Sequence, residues 1–369
     1  MTGPERWPSA LTRRLRARDL SIVLGLEELA GSWDALAAAH PTPMQSLAWA
    51  TAADAAEGDG AQVLNIVLGD RRDPDAIASL RRVSRRPTEL ALTAFGEPID
   101  VLYRDRAALA ALCDAIAELR LPVKLRRLLA SSPTADELTR AYARRGVVVR
   151  RDTNPYPAIR LDETWLEPEG RFNSGRRSDL RRARRRAEAL GTVTVDLTAP
   201  GLDQVDALLA DAVAVEAAGW KSRAGTALAA DHRQREFFRH WTALAAQDGS
   251  LRMAFLRLDG RPVAMQLAAE AANRLWLLKI GYDEEVARCS PGNLLMLEVV
   301  RAAAQRGLSH VEFLGRSEAW TALWTTQTRA CVGIAAYPYA VGSAPVLAKD
   351  LLAFSRARRS AVAAVSRAG

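Results

Sequence analysis

Residues 251–315 read LRMAFLRLDGRPVAMQLAAEAANRLWLLKIGYDEEVARCSPGNLLMLEVVRAAAQRGLSHVEFLG, and this stretch decides the fold. Asp259-Gly260 is a hairpin turn between two apolar runs, which predicts two antiparallel strands. Ala272-Asn273 turns the chain into a third strand, and a loop and a long amphipathic helix follow. A further strand ends the stretch. The order predicts an α/β fold in which a mixed sheet is flanked by helices.

The helix in this stretch begins at Ser290-Pro291-Gly292-Asn293. The first N–H groups of a helix have no acceptor within the helix, and the helix dipole favours an anion beside them. Gly292 lets a phosphate approach the backbone, and Ser290 offers a hydroxyl donor. The tetrapeptide is also an ordinary helix start, but the order of elements around it favours an anion site. These four residues are therefore the candidate cofactor-binding residues.

The alternation of strands and helices fills the rest of the chain and restarts near residue 156. With 369 residues, the chain is long enough for two domains. We therefore predict two related α/β halves that meet at Asn154-Pro155 and share an extensive interface.

Several classes of protein are disfavoured by the motifs that the sequence lacks. The three cysteines are isolated and no HExxH spacing occurs, so we expect neither a disulfide framework nor a metal. No nucleophile elbow, Walker loop or dinucleotide fingerprint is present, which argues against a hydrolase, an NTPase or a dehydrogenase. No apolar run approaches the roughly 20 residues of a membrane span, and the N-terminus lacks a secretory apolar core. We expect a cytoplasmic protein without a transmembrane segment.

The formal net charge is +8, and nearly all the basic residues are arginines. So much arginine beside so much alanine indicates GC-rich codons as well as attraction to anionic ligands. A helix predicted within 171–190 places Arg177, Arg181 and Arg184 or Arg185 on one face, which suits phosphates, including those of tRNA. The favoured alternative is a solvated surface helix that packs through its apolar side chains. Those side chains are Phe172, Leu180, Ala183, Ala187 and Leu190.

Four segments of the chain carry a family resemblance. They read PTPMQSLAWATAAD, NSGRRSDLRRARRRAEALG, LRLDGRPVAMQLAAE and KIGYDEEVARCSPGNLLMLEVVRAAAQRGLSHVEFLGRSEAW. Together they resemble the CelD/BcsL-like branch of the acyl-CoA N-acyltransferase (GNAT) superfamily, which is itself similar to the FemAB peptidoglycan-bridge transferases. The resemblance spans about 40 to 335 and is most specific from YDEEVARCSPGNLL to VEFLGRSEAW.

The resemblance implies tandem GNAT-like halves and transfer of an acyl group from acyl-CoA or acetyl-CoA to an amine or hydroxyl. The acceptor would be a small molecule or a polysaccharide precursor. Ser290–Asn293 would hold the pyrophosphate of coenzyme A, and the preceding strand would pair with its pantetheine arm. In the first half the matching loop, GEPIDVLYRD, carries Glu97 and Asp100, which would repel pyrophosphate. We expect 1–155 to be a degenerate half, structural or acceptor-binding, and 156–369 to carry the acyl-CoA site and a C-terminal helix.

Acyl transfer needs a base that takes a proton and donors that stabilise the oxyanion. Glu312, in the strand after the long helix, and Asp283, which follows WLLKIGY, are the candidate catalytic residues. A salt-bridged structural role is an equal alternative for Glu312, and a turn-forming role is favoured for Asp283. Trp220, Lys221 and Trp320 are candidate substrate-binding residues.

Two alternatives to CoA-dependent transfer stay open. A Fem-like transferase that uses aminoacyl-tRNA is supported by the Arg-rich helix. A non-catalytic GNAT-like protein of polysaccharide or envelope assembly is supported by a departure from the family, because its usual Tyr-Lys appears here as Trp320-Thr321.

Overall fold

The computed structural model describes residues 20–23, 25–40, 42–57, 63–85, 88–92, 95–219 and 231–368. The strands are β1 (Leu20–Val23), β2 (Val63–Gly69), β3 (Pro74–Arg85), β4 (Thr88–Leu92), β5 (Leu102–Tyr103), β6 (Val123–Leu129), β7 (Gly146–Arg160), β8 (Val193–Thr198), β9 (Leu251–Leu258), β10 (Arg261–Ala271), β11 (Arg274–Tyr282), β12 (His310–Glu312) and β13 (Thr328–Pro338). The α-helices are α1 (Ala30–Ala37), α2 (Leu47–Glu57), α3 (Arg106–Glu118), α4 (Thr134–Tyr142), α5 (Ser174–Glu188), α6 (Leu202–Ala217), α7 (His232–Gln247), α8 (Pro291–Gln305) and α9 (Ser343–Ala368).

The strands join into one sheet with the order β1-β2-β3-β4-β6-β13-β7-β12-β11-β10-β9-β8, and β5 pairs with β3. Most neighbours are antiparallel, whereas β4 and β6 run parallel, as do β11 and β12. The prediction of a mixed sheet flanked by helices is therefore confirmed. The stretch that decides the fold forms β9 to β12 with α8, and its turns at Asp259 and Ala272-Asn273 adopt the positive φ angles of tight hairpins.

The centre of the sheet departs from the sequence pattern, because β7 runs without a break through the residues where the pattern restarts. Its partner β13 pairs along its length, and the register shifts between Arg329 and Cys331. That shift sets Asn154 and Pro155 opposite a single residue of β13. Proline has no N–H to donate, and a bulge accommodates it within a paired strand. The division at residue 155 stays a prediction, and in the sheet it falls within one strand.

The two faces of the sheet near β11 are covered by different helices. Leu275 and Leu277 of β11 share a buried cluster with Leu180 of α5 and Leu295 of α8. Trp276 points to the opposite face, into the cluster that contains side chains of α6 and α7. This alternation is the ordinary consequence of strand geometry. The packing of α8 against this face of the sheet gives the start of α8 a defined position beside the end of β11.

Candidate functional site

The segment between β11 and α8 turns the chain back over the sheet. The sequence predicts a loop there, whereas the structure has a 3-10 helix, Glu284–Cys289, that leads directly into α8. Ser290 joins the two helices in the left-handed conformation, with a φ of 46°. Pro291 takes the first helical position, where its missing N–H removes no hydrogen bond. Gly292 and Asn293 complete the first turn.

The backbone N–H groups in the first turn of α8 differ in their hydrogen bonding. The N–H groups of Asn293 and Leu294 both donate to the Ser290 carbonyl, with N–O distances of 3.0 and 3.1 Å. No protein acceptor for the Gly292 N–H is found in the part of the chain that the structure describes. A β-carbon on Gly292 would lie 3.5 Å from the Tyr282 ring, so any side chain there would enter the space beside Tyr282.

A cleft of about 280 Å³ opens beside this turn. β12 pairs with β11 only over Arg274–Trp276 and ends there, whereas β11 continues to Tyr282. One side of the cleft is formed by Tyr282 of β11 and by the four predicted cofactor residues, Ser290–Asn293. The loop after β12 forms the other side through Glu318 and Trp320. The predicted cofactor residues thus share one cleft with the predicted substrate residue Trp320.

Gln266 of β10 also lines the cleft, and sequence reasoning missed it. Its side chain is buried, with 5% of its surface exposed. Within the described ranges, the side-chain nitrogen has only the Met296 sulfur, 3.4 Å away, and the oxygen has no hydrogen-bond partner. A buried amide without proper partners is unfavourable unless something else supplies them. A single polar residue inside the apolar strand segment PVAMQLAA is the signal that could have identified it.

Trp320 lies at the edge of the cleft with its ring against Phe313, at a centroid distance of 5.5 Å. Its indole N–H donates to a Glu318 carboxylate oxygen at 3.0 Å. This contact fixes the orientation of the ring. The other two candidate substrate residues, Trp220 and Lys221, lie outside the described residues.

Glu312 is fully buried and lies between two arginines. Arg274 of β11 donates to one of its carboxylate oxygens at 2.6 Å, and Arg329 of β13 donates to the same oxygen at 3.0 Å. Arg329 also reaches the second oxygen, at 3.3 Å. The carboxylate therefore connects three strands of the sheet. These contacts favour the salt-bridged alternative over a role in proton transfer.

Asp283 is buried at the end of β11 and has structural partners for both carboxylate oxygens. One oxygen accepts from the Glu285 N–H at 2.9 Å and caps the 3-10 helix. The other oxygen accepts from Arg261 at 2.6 Å. Both contacts agree with the turn-forming alternative.

Glu97 belongs to the loop GEPIDVLYRD, which in the first half corresponds by position to Ser290–Asn293. It lies beside residues of both predicted halves. Its carboxylate is 3.6 Å from an Arg127 nitrogen, and Arg127 also donates to the Gly315 carbonyl at 2.7 Å. Burial raises the pKa of Glu97 to about 7, although the charges of Arg127 and Lys279 act in the opposite direction. A carboxyl with this pKa exchanges protons near neutral pH. The sequence shows an acid here but gives no sign of its burial.

The Arg-rich helix α5 is attached to the sheet through its apolar side chains. Leu180, Ala183 and Ala187 are buried, and Phe172 packs against the same cluster. The prediction for Leu190 is wrong, because its side chain is 58% exposed. The helix ends at Glu188, so Leu190 does not continue the apolar face.

The polar face of α5 is only partly engaged. Arg177 donates to the Phe172 carbonyl at 2.7 Å, and Arg184 pairs with Glu298 of α8 at 3.3 Å. Arg181 is exposed and contacts no acceptor in the described part of the chain. The contacts of Arg177 and Arg184 are those of a scaffold, while Arg181 faces solvent.

Three further features bear on the kind of site. In the described ranges, no group of three or more His, Cys, Asp or Glu side chains could hold a metal ion. The cysteines Cys113, Cys289 and Cys331 are buried and unbridged. A search of the helices in those ranges also finds none with the length and apolarity needed to cross a bilayer.

Residues 174–321 match the family model of an acetyltransferase (GNAT) domain. The matched range begins at α5 and contains Gln266, the start of α8 and the residues that line both sides of the cleft. No curated protein matches the chain.

Solved structures resemble most of the chain. FemX is 14% identical, with a TM-score of 0.56, over 86% of this chain and 97% of FemX. The C-terminal domain (DUF2156) of a protein described as a lysylphosphatidylglycerol synthetase from Agrobacterium fabrum is 11% identical, with a TM-score of 0.52, over 88% and 96%. A tandem GNAT protein from the clavulanic acid biosynthesis pathway is 13% identical, with a TM-score of 0.49, over 87% and 99%. At such identities a likeness shows the fold alone. The prediction of a GNAT-type α/β fold is confirmed.

Proposed function

We propose that this chain is an acyltransferase that moves an acyl group from acyl-CoA or acetyl-CoA to an amine or hydroxyl acceptor. The observation that carries the proposal is the cleft at the start of α8. There the Gly292 N–H and the side-chain oxygen of the buried Gln266 offer hydrogen bonds that the described protein residues do not use. A ligand with a phosphate at one end and amide groups along its length would satisfy both.

Coenzyme A has this chemistry. Its pyrophosphate would bind at the first turn of α8, where the Gly292 N–H and the helix dipole attract an anion. Its pantetheine arm would follow β11 through the cleft and exchange hydrogen bonds with Gln266. Trp320 would form the opposite wall. We expect the acceptor to approach from the side of the first half, whose role is then acceptor binding.

Transfer to an amine needs a group that accepts a proton. Glu97 is a better candidate than Glu312, because the oxygens of Glu312 are already engaged by Arg274 and Arg329. The pKa of Glu97, about 7, suits a base that works near neutral pH. Glu312 would then hold the strands on which the cleft depends, and Asp283 would hold the turn. We also propose the CelD/BcsL-like branch as the family of the chain, on the segments that carry the resemblance.

Calorimetry with coenzyme A tests the proposal. Gly292→Asp places a carboxylate beside Tyr282 at the pyrophosphate position, so the affinity should fall about tenfold or more. Gly175→Asp is the matched control, because Gly175 is also the second residue of a helix, α5, and is exposed away from the cleft. Gln266→Leu replaces one hydrogen-bonding side chain by an apolar side chain of similar size, and the affinity of this variant for coenzyme A should fall about three- to tenfold.

The control should bind coenzyme A as the wild-type protein does. If no variant binds less tightly than wild type, or if the wild-type protein gives no binding heat, the proposed cofactor site is wrong.

A Fem-like transfer from aminoacyl-tRNA is the second candidate function. The observation that favours it is the exposed polar face of α5, where Arg181 contacts no acceptor within the described ranges. Phosphates bind readily to such a face. Because Arg177 and Arg184 already contact acceptors within the protein, we favour transfer from aminoacyl-tRNA less than transfer from acyl-CoA.

A further inference from the structure

A second cavity, of about 180 Å³, lies under the other end of α8. Its floor is formed by Ala254 of β9 and Ala268 of β10, and α8 contributes Ala302 and Ala303. Larger side chains on these facing surfaces would fill the space, as they do in most protein interiors. Because alanines occupy both surfaces, the sheet and the helix leave an apolar chamber between them. Leu197, which is half-exposed, stands at its rim.

Three charged side chains surround the mouth of this chamber. Glu270 pairs with Arg252 at 3.0 Å and also with Arg306, both through the same carboxylate oxygen. Arg252 is held in place, because it also donates to the carbonyls of Gly249 and Leu251 at 2.8 and 2.7 Å. Two guanidinium groups thus share a single carboxylate, and the mouth carries one excess positive charge.

Arg306 is the most exposed member of this group. Its side chain is 44% exposed, and its ion pair with Glu270 is its one contact with an acid among the described residues. Exposed ion pairs contribute little, so Arg306 can turn toward another anion at small loss. An anion at the mouth would therefore meet a guanidinium group that is ready to bind it.

We propose that this cavity binds a monocarboxylic acid whose apolar chain or ring contains about six to eight carbon atoms. The volume is slightly larger than the cavity of about 150 Å³ that accepts benzene in another protein, which sets the size of the apolar part. The carboxylate would pair with Arg306 and the apolar part would fill the alanine-lined chamber. An amine would be repelled by the same arginines, and an alcohol of equal length would lack the ion pair.

The chamber is separate from the cofactor cleft. Gln266 lies between them and lines both, while Gly292 and Arg306 mark opposite ends of α8. The inference therefore does not depend on coenzyme A binding. A carboxylic acid could still enter the cleft, and the choice of variants distinguishes the two locations.

The test is thermal unfolding of the full chain with sodium octanoate, octylamine or octanol. Octanoate should raise the melting temperature of the wild-type protein, octanol should raise it less, and octylamine should leave it unchanged. The Arg306→Gln variant should need about tenfold more octanoate for the same rise in melting temperature. Arg182→Gln is the control, because Arg182 is an arginine of similar exposure that also pairs with a carboxylate, Asp179.

A second variant, Ala268→Leu, should abolish octanoate binding by filling the chamber, and Gly292→Asp should leave it intact. Circular dichroism shows whether each variant folds; if Ala268→Leu does not, Arg306→Gln against Arg182→Gln still decides. The proposal is overturned if octanoate has no effect on the wild-type protein. It is also overturned if Arg306→Gln responds as Arg182→Gln does, or if Gly292→Asp removes the response.

Discussion

Replacing Glu97 by glutamine should change how the stability of the protein depends on pH. Glutamine keeps the shape of the protonated carboxyl but never carries its charge. Arg127 would keep its hydrogen bonds to the carbonyls of Gly96 and Gly315, at 3.0 and 2.7 Å, so the substitution leaves it with acceptors. The comparison therefore isolates the ionisation of one buried group.

The sign follows from the direction of the pKa. Burial raises the pKa of Glu97 from 4.5 to about 7, so between these pH values the folded protein holds a proton that the unfolded chain has released. The contribution of Glu97 to stability is fully present below pH 4.5 and is lost as the pH rises through 7. The difference between the two pKa values corresponds to about 3 kcal/mol in the free energy of unfolding. Glu97→Gln should match the wild-type protein near pH 4.5 and be up to about 3 kcal/mol more stable at pH 8.

Urea denaturation at intervals between pH 4.5 and 8.5 measures this difference. Other titrating groups act on both proteins alike and cancel in the comparison. Glu188→Gln, at the exposed end of α5, controls for the loss of one negative charge, and the change with pH for Glu97→Gln should exceed that for this control. A constant gap between Glu97→Gln and wild type, or a variant that is less stable at pH 8, would contradict this prediction.

Two further predictions concern residues that the sequence singles out. Glu312→Gln should lower the free energy of unfolding by about 3 kcal/mol, because it leaves Arg274 and Arg329 without a counter-charge. Urea denaturation beside the Glu188→Gln control measures this loss, and a change as small as the control's would return Glu312 to the list of candidate bases. The double variant Arg177→Ala, Arg181→Ala should leave weak tRNA retention in filter binding unchanged, because we expect α5 to act as a scaffold. If the wild-type protein instead forms a tight, sequence-selective complex that the variant loses, the tRNA-dependent function is favoured.

The local part of the fold could be predicted from the sequence because it depends on short-range patterns. Apolar alternation around Asp259-Gly260 and Ala272-Asn273 predicts the three strands β9 to β11, and the structure has them. The apolar period after Asn293 predicts α8 and places its start within one or two residues. The turn at Ser290–Asn293, which we predict to bind an anion, is likewise a local feature, since the residues that shape it are neighbours in the chain.

The remaining features depend on partners that are distant in the sequence. The sequence alone could not place β13 between β6 and β7, because no local pattern encodes that pairing. The same holds for Glu97, whose burial beside Arg127 and Gly315 arises from a strand and a loop about 30 and 220 residues away. Gln266 and the alanines of the second cavity have a signal in the sequence, but its meaning appears only when α8 packs over them.

The position of β13 bears on how the two parts of the chain work together. A division of the sequence at residue 155 assigns β13 to the second part, yet β13 pairs with β6 of the first part, and β7 spans the division. Through Arg127 and Gly315 the first part also fixes the loop after β12, which forms one wall of the cleft. If the cleft binds coenzyme A, the first part does more than present an acceptor: it holds in place the wall against which the pantetheine arm would lie. Disturbance of Arg127 would then reach the cofactor cleft through Gly315, without any contact between Arg127 and the cofactor.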